Sequence, residues 1–250
     1  MAAHMTTTRA YFLCLVLLWP AVSGSSTASE DSLLQPYQAT YRTKALGMNV
    51  TVERQLAVEG SGYRLSSEGS SFLASIKEVA HFDLVDGRIQ GKDYVYELKS
   101  VVRRRREVQF LPQQGVIKSL RKDQWTEHQW APEVLDRFSQ QEQLRLDLIA
   151  AAAASTSGEA PSELSFKVVD GDRIKIRTLD LVAKETLSTP LGNLDTLHYR
   201  QRRDSDSNRS SDIWVAPSLD FMMVLTQHVE DVSVIEIALQ SLALAPAAAD

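Results

Sequence analysis

Three short runs punctuate the C-terminal part of the chain: Thr189-Pro190-Leu191-Gly192-Asn193, Ile213-Trp214-Val215-Ala216-Pro217 and Leu239-Gln240-Ser241. Pro190 to Asn193 has the residues of a tight turn, since proline presets φ and glycine tolerates positive φ. Leu194 to Arg203 follows with strand-like alternation, and Asp204 to Ser211 is a polar loop. Ile213 to Ala216 is apolar on both faces, as in a strand covered on both sides. Phe221 to Val229 and Val232 to Leu242 complete an antiparallel meander. Trp214, set between the polar loop and Pro217, is expected to be a buried core anchor.

The same alternation extends upstream. Tyr37, Ala39, Tyr41 and Thr43 share one strand face, and Met48, Val50 and Val52 another. Gly60-Ser61-Gly62 and Asp86-Gly87 mark turns. Phe72, Ala74, Ile76, Ala80, Phe82 and Leu84 form one long face; Tyr94, Tyr96, Leu98, Val102, Val108 and Phe110 form the next. Leu164, Phe166 and Val168 lead to Asp170-Gly171, a hairpin signal. Beyond it Ile174, Ile176 and Thr178 have even parity, whereas Leu179, Leu181 and Ala183 have odd. A change of face within one strand predicts a β-bulge, and bulges bend sheets. One helix is predicted over Ser139–Ala153. Ser139 and Glu142 stand at capping-box spacing, and Leu144, Leu148 and Ala151, widened by Leu146 and Ile149, form an apolar stripe. Gly158 and Pro161 end it. The expected fold is mainly β: a curved antiparallel sheet of about ten strands, or a partly open β-barrel, with one substantial helix and an α+β variant as the alternative.

The 250 residues, 44% hydrophobic and 24% charged, suffice for a substantial core. A net charge of -5 argues against general nucleic-acid binding. Near the N-terminus Arg9 precedes an apolar run, Tyr11 to Val22, of signal-peptide length and too short to span a bilayer. Small residues follow it. This predicts a Sec-type signal peptide over 1–28, a disordered leader over 29–36, a single β-rich domain over 37–242, a flexible tail over 243–250, and a periplasmic location. The one cysteine, Cys14, follows Tyr11-Phe12-Leu13 rather than small residues, so a lipid-anchored cysteine is not expected. The mature chain then has no disulfide and no thiolate metal site. No later apolar run reaches the ~18 residues of a membrane helix.

Chemical motifs are mostly absent. There is no nucleophile elbow, phosphate-binding loop or dinucleotide fingerprint. His81, His128, His198 and His228 are widely spaced, with no metal-ligand pattern, so no metal, cofactor or catalytic residue is assigned. His81 with Asp83, and His228 with Glu230, share strand faces and are the candidate acid–base pairs; an ordinary polar strand face is the plainer reading. The run Arg103-Arg104-Arg105-Arg106 is the sharpest local feature. Arg103 and Arg105 are in phase with Glu97 and Lys99, and Arg104 and Arg106 with Tyr96, Leu98, Val102 and Phe110. An arginine directed at an apolar concavity requires a carboxylate or an anionic ligand. The alternative is a sheet end that exposes all four. The candidate ligand-binding residues are Tyr94, Tyr96, Arg104 and Arg106.

The segments Asp136-Arg137-Phe138-Ser139 to Asp147-Leu148, Thr189-Pro190-Leu191-Gly192, and Trp214-Val215-Ala216-Pro217 to Leu239-Gln240-Ser241, in this order, resemble an uncharacterised bacterial envelope family, DUF3108. The resemblance runs from Tyr37 to about Ser241. It implies an exported, β-rich, periplasmic protein with Pro190, Gly192, Trp214 and Pro217 in structural roles, and no established activity. Where that family often has a proline before the final strand pair, this chain has Met222-Met223-Val224. Three functions compete. One is a non-enzymatic binding or chaperone-like module that encloses an apolar or anionic amphiphile. Another is an envelope interaction or assembly factor, without a cavity, that docks another envelope protein through its helix and basic strand. The third is a hydrolase using one of the histidine pairs.

Overall fold

A computed structural model describes residues 34–45, 48–156, 158–203, 209–231 and 233–244. The signal segment, most of the leader and nearly all of the tail lie outside them. The strands are β1 Tyr37–Ala45, β2 Met48–Glu59, β3 Gly62–Ser70, β4 Ser75–Val85, β5 Arg88–Lys99, β6 Arg104–Leu111, β7 Val116–Arg121, β8 Gln124–Gln129 and β9 Val134–Leu135. Helix α1, Ser139–Ala154, follows; then come β10 Glu163–Asp170, β11 Arg173–Thr189, β12 Gly192–Gln201, β13 Arg209–Ala216, β14 Met222–Glu230 and β15 Ser233–Leu244.

All 15 strands belong to one sheet. Neighbours in sequence pair antiparallel, except that β8 and β9 do not pair and β9 runs parallel to β10. β1 pairs with β15, so the two ends of the domain meet inside the sheet. Its edges are therefore β8 and β9, consecutive in the chain. The ladder stays open between them, yet side chains bridge the gap. The Ser119 hydroxyl donates to the Gly171 carbonyl, and His128 Nε2 lies 2.9 Å from the same oxygen. A Cβ at Gly171 would collide with the Arg121 side chain, so the close approach requires glycine. The result is a curled, barrel-like sheet without ladder closure.

Register shifts bend it. They fall opposite Gln240, at Lys92, at Val182 and at Val224. The bulge in β11 lies at Val182, beyond the parity change read from sequence, and the inward face differs from that reading. Arg177 pairs with Phe166 and Lys175 with Val168, both buried apolar residues. Lys175, Arg177 and Leu179 thus face the concavity, while Ile176 is 71% exposed outside. The long apolar faces are also interrupted. Ala80 and Phe82 are buried, but Phe72 is 97% exposed because the ladder ends at Ser70 and Ser75. Val108 and Phe110 are buried, whereas Val102 lies in an exposed hairpin tip. The folded part also begins earlier than the alternation suggests: Leu34 is completely buried.

Helix α1 sits against the concave side, next to β5 and β10. Leu144, Leu146 and Leu148 are buried as expected, but so are Gln140, Glu142, Gln143 and Arg145. The helix is wrapped on nearly every side instead of resting on one apolar stripe. The capping box does not form. Asp136 takes its place: one carboxylate oxygen accepts the N–H groups of Phe138 and Ser139, and the other accepts the Ser139 hydroxyl. Glu142 is thereby released to the interior.

Trp214 is 8% exposed and belongs to the main apolar cluster. Its ring stacks on His198 with centroids 4.1 Å apart, and its N–H donates to Glu185 over 2.6 Å.

Candidate functional site

Two polar regions lie against α1. In the deeper one, every charge has a partner or a π face. Tyr37 donates to Glu142 over 2.6 Å, and Arg145 donates to the other Glu142 oxygen over 2.8 Å. Arg145 also donates to the Asp220 carbonyl and lies over the Tyr37 ring. Arg54 is sandwiched between the rings of Tyr41 and Phe138, 5.1 Å from each centroid, and donates to Gln141. Gln143 accepts the Ile89 N–H. Burial, with the Glu142 charge adding, pushes the Tyr37 hydroxyl pKa well above its ordinary value. This region has the character of a structural plug, locked by its own pairs, with Arg54 Nε the one buried nitrogen left without a hydrogen bond among these groups.

The second region lies at the mouth of the concavity, where α1 begins. The registers bring the β3–β4, β5–β6, β7–β8 and β10–β11 turns to this same end of the sheet. Arg106 stands directly opposite Tyr96 on one side and Arg121 on the other. Like charges directly opposed across strands repel unless an anion lies between them. Arg137, just before the helix, lies over the Tyr96 ring at 6.0 Å. Arg177 reaches Gln140 only at 3.5 Å. Its pKa is lowered by burial first and then by repulsion from Arg137, with Arg106 adding to it. The acids present are already engaged. Asp170 lies 2.8 Å from Lys175 and 3.6 Å from Arg106, and Glu78 accepts the Tyr94 hydroxyl over 2.6 Å. Asp136 is turned into the helix start, where burial pushes its carboxyl up to about 6 despite its hydrogen bonds.

Of the residues singled out from sequence, Tyr96 and Arg106 meet in this mouth. Tyr94 is buried behind them, and burial, with Glu78 adding, raises its hydroxyl pKa well above the ordinary value. Arg104 is exposed at the start of β6 and has no ion pair among the described residues. Arg105 points outward to Glu97 and Glu107. The arginine run thus divides, with Arg106 turned in and its neighbours exposed. Arg121, Arg137 and Arg177 were not singled out. For Arg177 a signal existed, because it shares parity with Leu179 and Leu181. For Arg137 none did, since its position depends on how the helix enters the sheet.

Neither acid–base pair forms. His81 Nδ1 lies 2.7 Å from Asp93 on the neighbouring strand, while Asp83 pairs with Lys92. His228 meets the Ser211 hydroxyl at 2.8 Å, and Glu230 pairs with Arg209. Cross-strand neighbours are closer than residues two apart on one strand, so register outweighs parity. Among the described residues no cluster of His, Cys, Asp or Glu could hold a metal ion. No helix among them is long and apolar enough to cross a membrane.

The concavity is filled by α1. Large depressions lie elsewhere: one of about 440 Å³ is lined by Glu53, Glu68, Ile76 and Lys99, and one of about 470 Å³ by Trp130, Val134 and Ile176. Neither is lined by Tyr94, Tyr96 or Arg106.

A curled sheet wound around one internal helix, with a basic mouth, defines a β-barrel-like domain. The family model described as "Protein of unknown function (DUF3108)" matches residues 36–239, and the chain belongs to that family. No curated protein sequence matches it. Among solved structures, a beta-barrel-like protein of the domain of unknown function DUF1849 from Brucella abortus is similar in fold. Its TM-score is 0.52 at 12% identity, covering 85% of this chain and 99% of that one. A candidate lipoprotein from Parabacteroides distasonis aligns at TM-score 0.31 and 11% identity, over 84% of this chain and 96% of that one.

Proposed function

We propose that this is an exported, non-enzymatic envelope protein that binds the anionic headgroup of an amphiphile at the mouth formed by Tyr96, Arg106, Arg121, Arg137 and Arg177. The observation that carries this reading is the crowding of four guanidinium groups held only by loose ion pairs: Arg106 stands directly opposite Arg121 and 3.6 Å from Asp170, Arg121 lies 4.0 Å from Asp172, and Arg177 is depressed by burial and then by repulsion from Arg137. Arginine forks match phosphate and carboxylate geometry, and a half-buried site strengthens each contact. Because α1 fills the concavity, the apolar part of such a ligand stays outside it. Export rests on the N-terminal apolar segment.

Calorimetric titration with dodecyl phosphate tests the reading, with dodecyl maltoside as the uncharged control. Dodecyl phosphate should bind, and Arg177→Gln should weaken it at least about tenfold, as expected for loss of one charge-assisted contact. Equal binding of the two detergents, or an unchanged affinity in Arg177→Gln, overturns it.

A further inference from the structure

The rim beside the basic mouth carries two exposed apolar tips. One is the β3–β4 hairpin loop, with Phe72 97% exposed and Leu73 50%. The other is the β5–β6 loop, with Val101 99% exposed and Val102 55%. Ser75 pairs with Lys99, so the two loops emerge side by side. A depression of about 340 Å³ between them is lined by Phe72, Leu73, Lys99 and Arg103. Single exposed apolar residues are ordinary on a protein surface. Four at the tips of adjacent hairpins are not, and they mark a surface that docks on something.

Both tips are folded back on a serine. Ser71 N–H donates to the Ala74 carbonyl over 2.7 Å, and the Ser71 hydroxyl accepts the Ala74 N–H. The Ser100 hydroxyl donates to the Val102 carbonyl over 2.8 Å and accepts the Val102 N–H. The backbone groups that close each tip, those of Ser71 and Ala74 in one and of Val102 in the other, are thus paired internally. A loop entering a bilayer interface needs this, because backbone groups left unpaired in an apolar medium are costly.

The charge around the tips selects the partner. Lys99, Arg103 and Arg104 flank them, exposed, while Lys77 and Arg105 are held by Glu68 and Glu97. Lys99 lies 3.7 Å from Glu97, a loose contact. An apolar tip within a basic collar matches an anionic lipid surface: the side chains enter the headgroup–acyl boundary and the cations meet the lipid charge. We infer that Phe72, Leu73, Val101 and Val102 insert into the surface of a bilayer containing anionic lipid, with Lys99, Arg103 and Arg104 as the electrostatic collar. This deepens the headgroup reading, since the rim would bring the basic mouth to the lipid plane, but it rests on different residues.

Flotation with vesicles of phosphatidylcholine and phosphatidylglycerol, at about 7:3, provides the test. The protein should float with these vesicles, and poorly with phosphatidylcholine alone or at high salt, where charge is screened. Phe72→Ser/Val101→Ser should lower binding about tenfold or more with unchanged melting, as expected when buried apolar contact is lost. Arg177→Gln should still float, which separates this inference from the headgroup site. Failure of the wild type to float, or equal flotation of the double variant, overturns the inference. It is equally overturned if sedimentation shows a dimer, or co-purification a bound protein, that the same double variant abolishes while flotation persists.

Discussion

The plug and the mouth are built from the same residue types, and they behave oppositely. In the plug, Arg145 has Glu142 and Arg54 has two aromatic faces and Gln141. In the mouth, Arg106 faces Arg121, and Arg177 is repelled by Arg137. Matched charge locks the helix into the sheet. Loosely matched charge, such as Arg106 at 3.6 Å from Asp170 and Arg121 at 4.0 Å from Asp172, stays available to an outside anion, because guanidinium cannot escape repulsion by losing its proton at neutral pH. A buried arginine is thus no indicator of function by itself; what its neighbours leave uncompensated is.

The largest expected effects break the plug. Glu142→Ala leaves Arg145 buried without its carboxylate and should cost about 3–5 kcal/mol in denaturant unfolding. Trp214→Ala should cost about as much, by removing a buried aromatic of the main apolar cluster. Melting like the wild type for either would show that these contacts do not hold the domain together.

Asp136, at the junction of plug and mouth, gives a pH test. Its folded pKa of about 6 lies above an ordinary carboxyl at about 3.9, so the folded state holds the proton more tightly. The stability this contributes is complete below about pH 4 and is lost as pH rises through about 6. Asp136→Asn keeps an acceptor for the Phe138 and Ser139 N–H groups but does not ionise. Relative to the wild type it should gain up to about 3 kcal/mol between pH 4 and pH 7. A difference that does not vary with pH refutes this.

Changes in the mouth should be smaller and of different sign. Arg106→Gln relieves repulsion from Arg121 but loses the loose contact with Asp170, so unfolding should shift by no more than about 1 kcal/mol while dodecyl phosphate binding falls. A loss as large as that of Glu142→Ala would make the mouth a second plug. At the rim, Phe72→Ser should move stability by no more than about 0.5 kcal/mol, because an exposed side chain loses little on truncation. A larger drop in thermal melting would show that Phe72 packs against the domain.

Period-two alternation determined much of this. It encodes which side chains share a strand face, so the mainly β class, the curled sheet and the Asp86-Gly87 and Asp170-Gly171 hairpins were legible locally, as was the Ser139 helix from the helical spacing of Leu144 and Leu148. Burial of Trp214 was legible too, because both faces of its strand are apolar. Alternation is blind to where a ladder stops, so Phe72 and Val102 kept their parity yet left the core. It is equally blind to register, which gave His81 to Asp93 instead of Asp83. The plug and the mouth were decided only in three dimensions. They bring Tyr37 to Glu142 and Arg106 to Arg121 and Arg177 across long stretches of chain. Electrostatic pairing depends on distance in space, and nothing in a local pattern of polar and apolar residues records it.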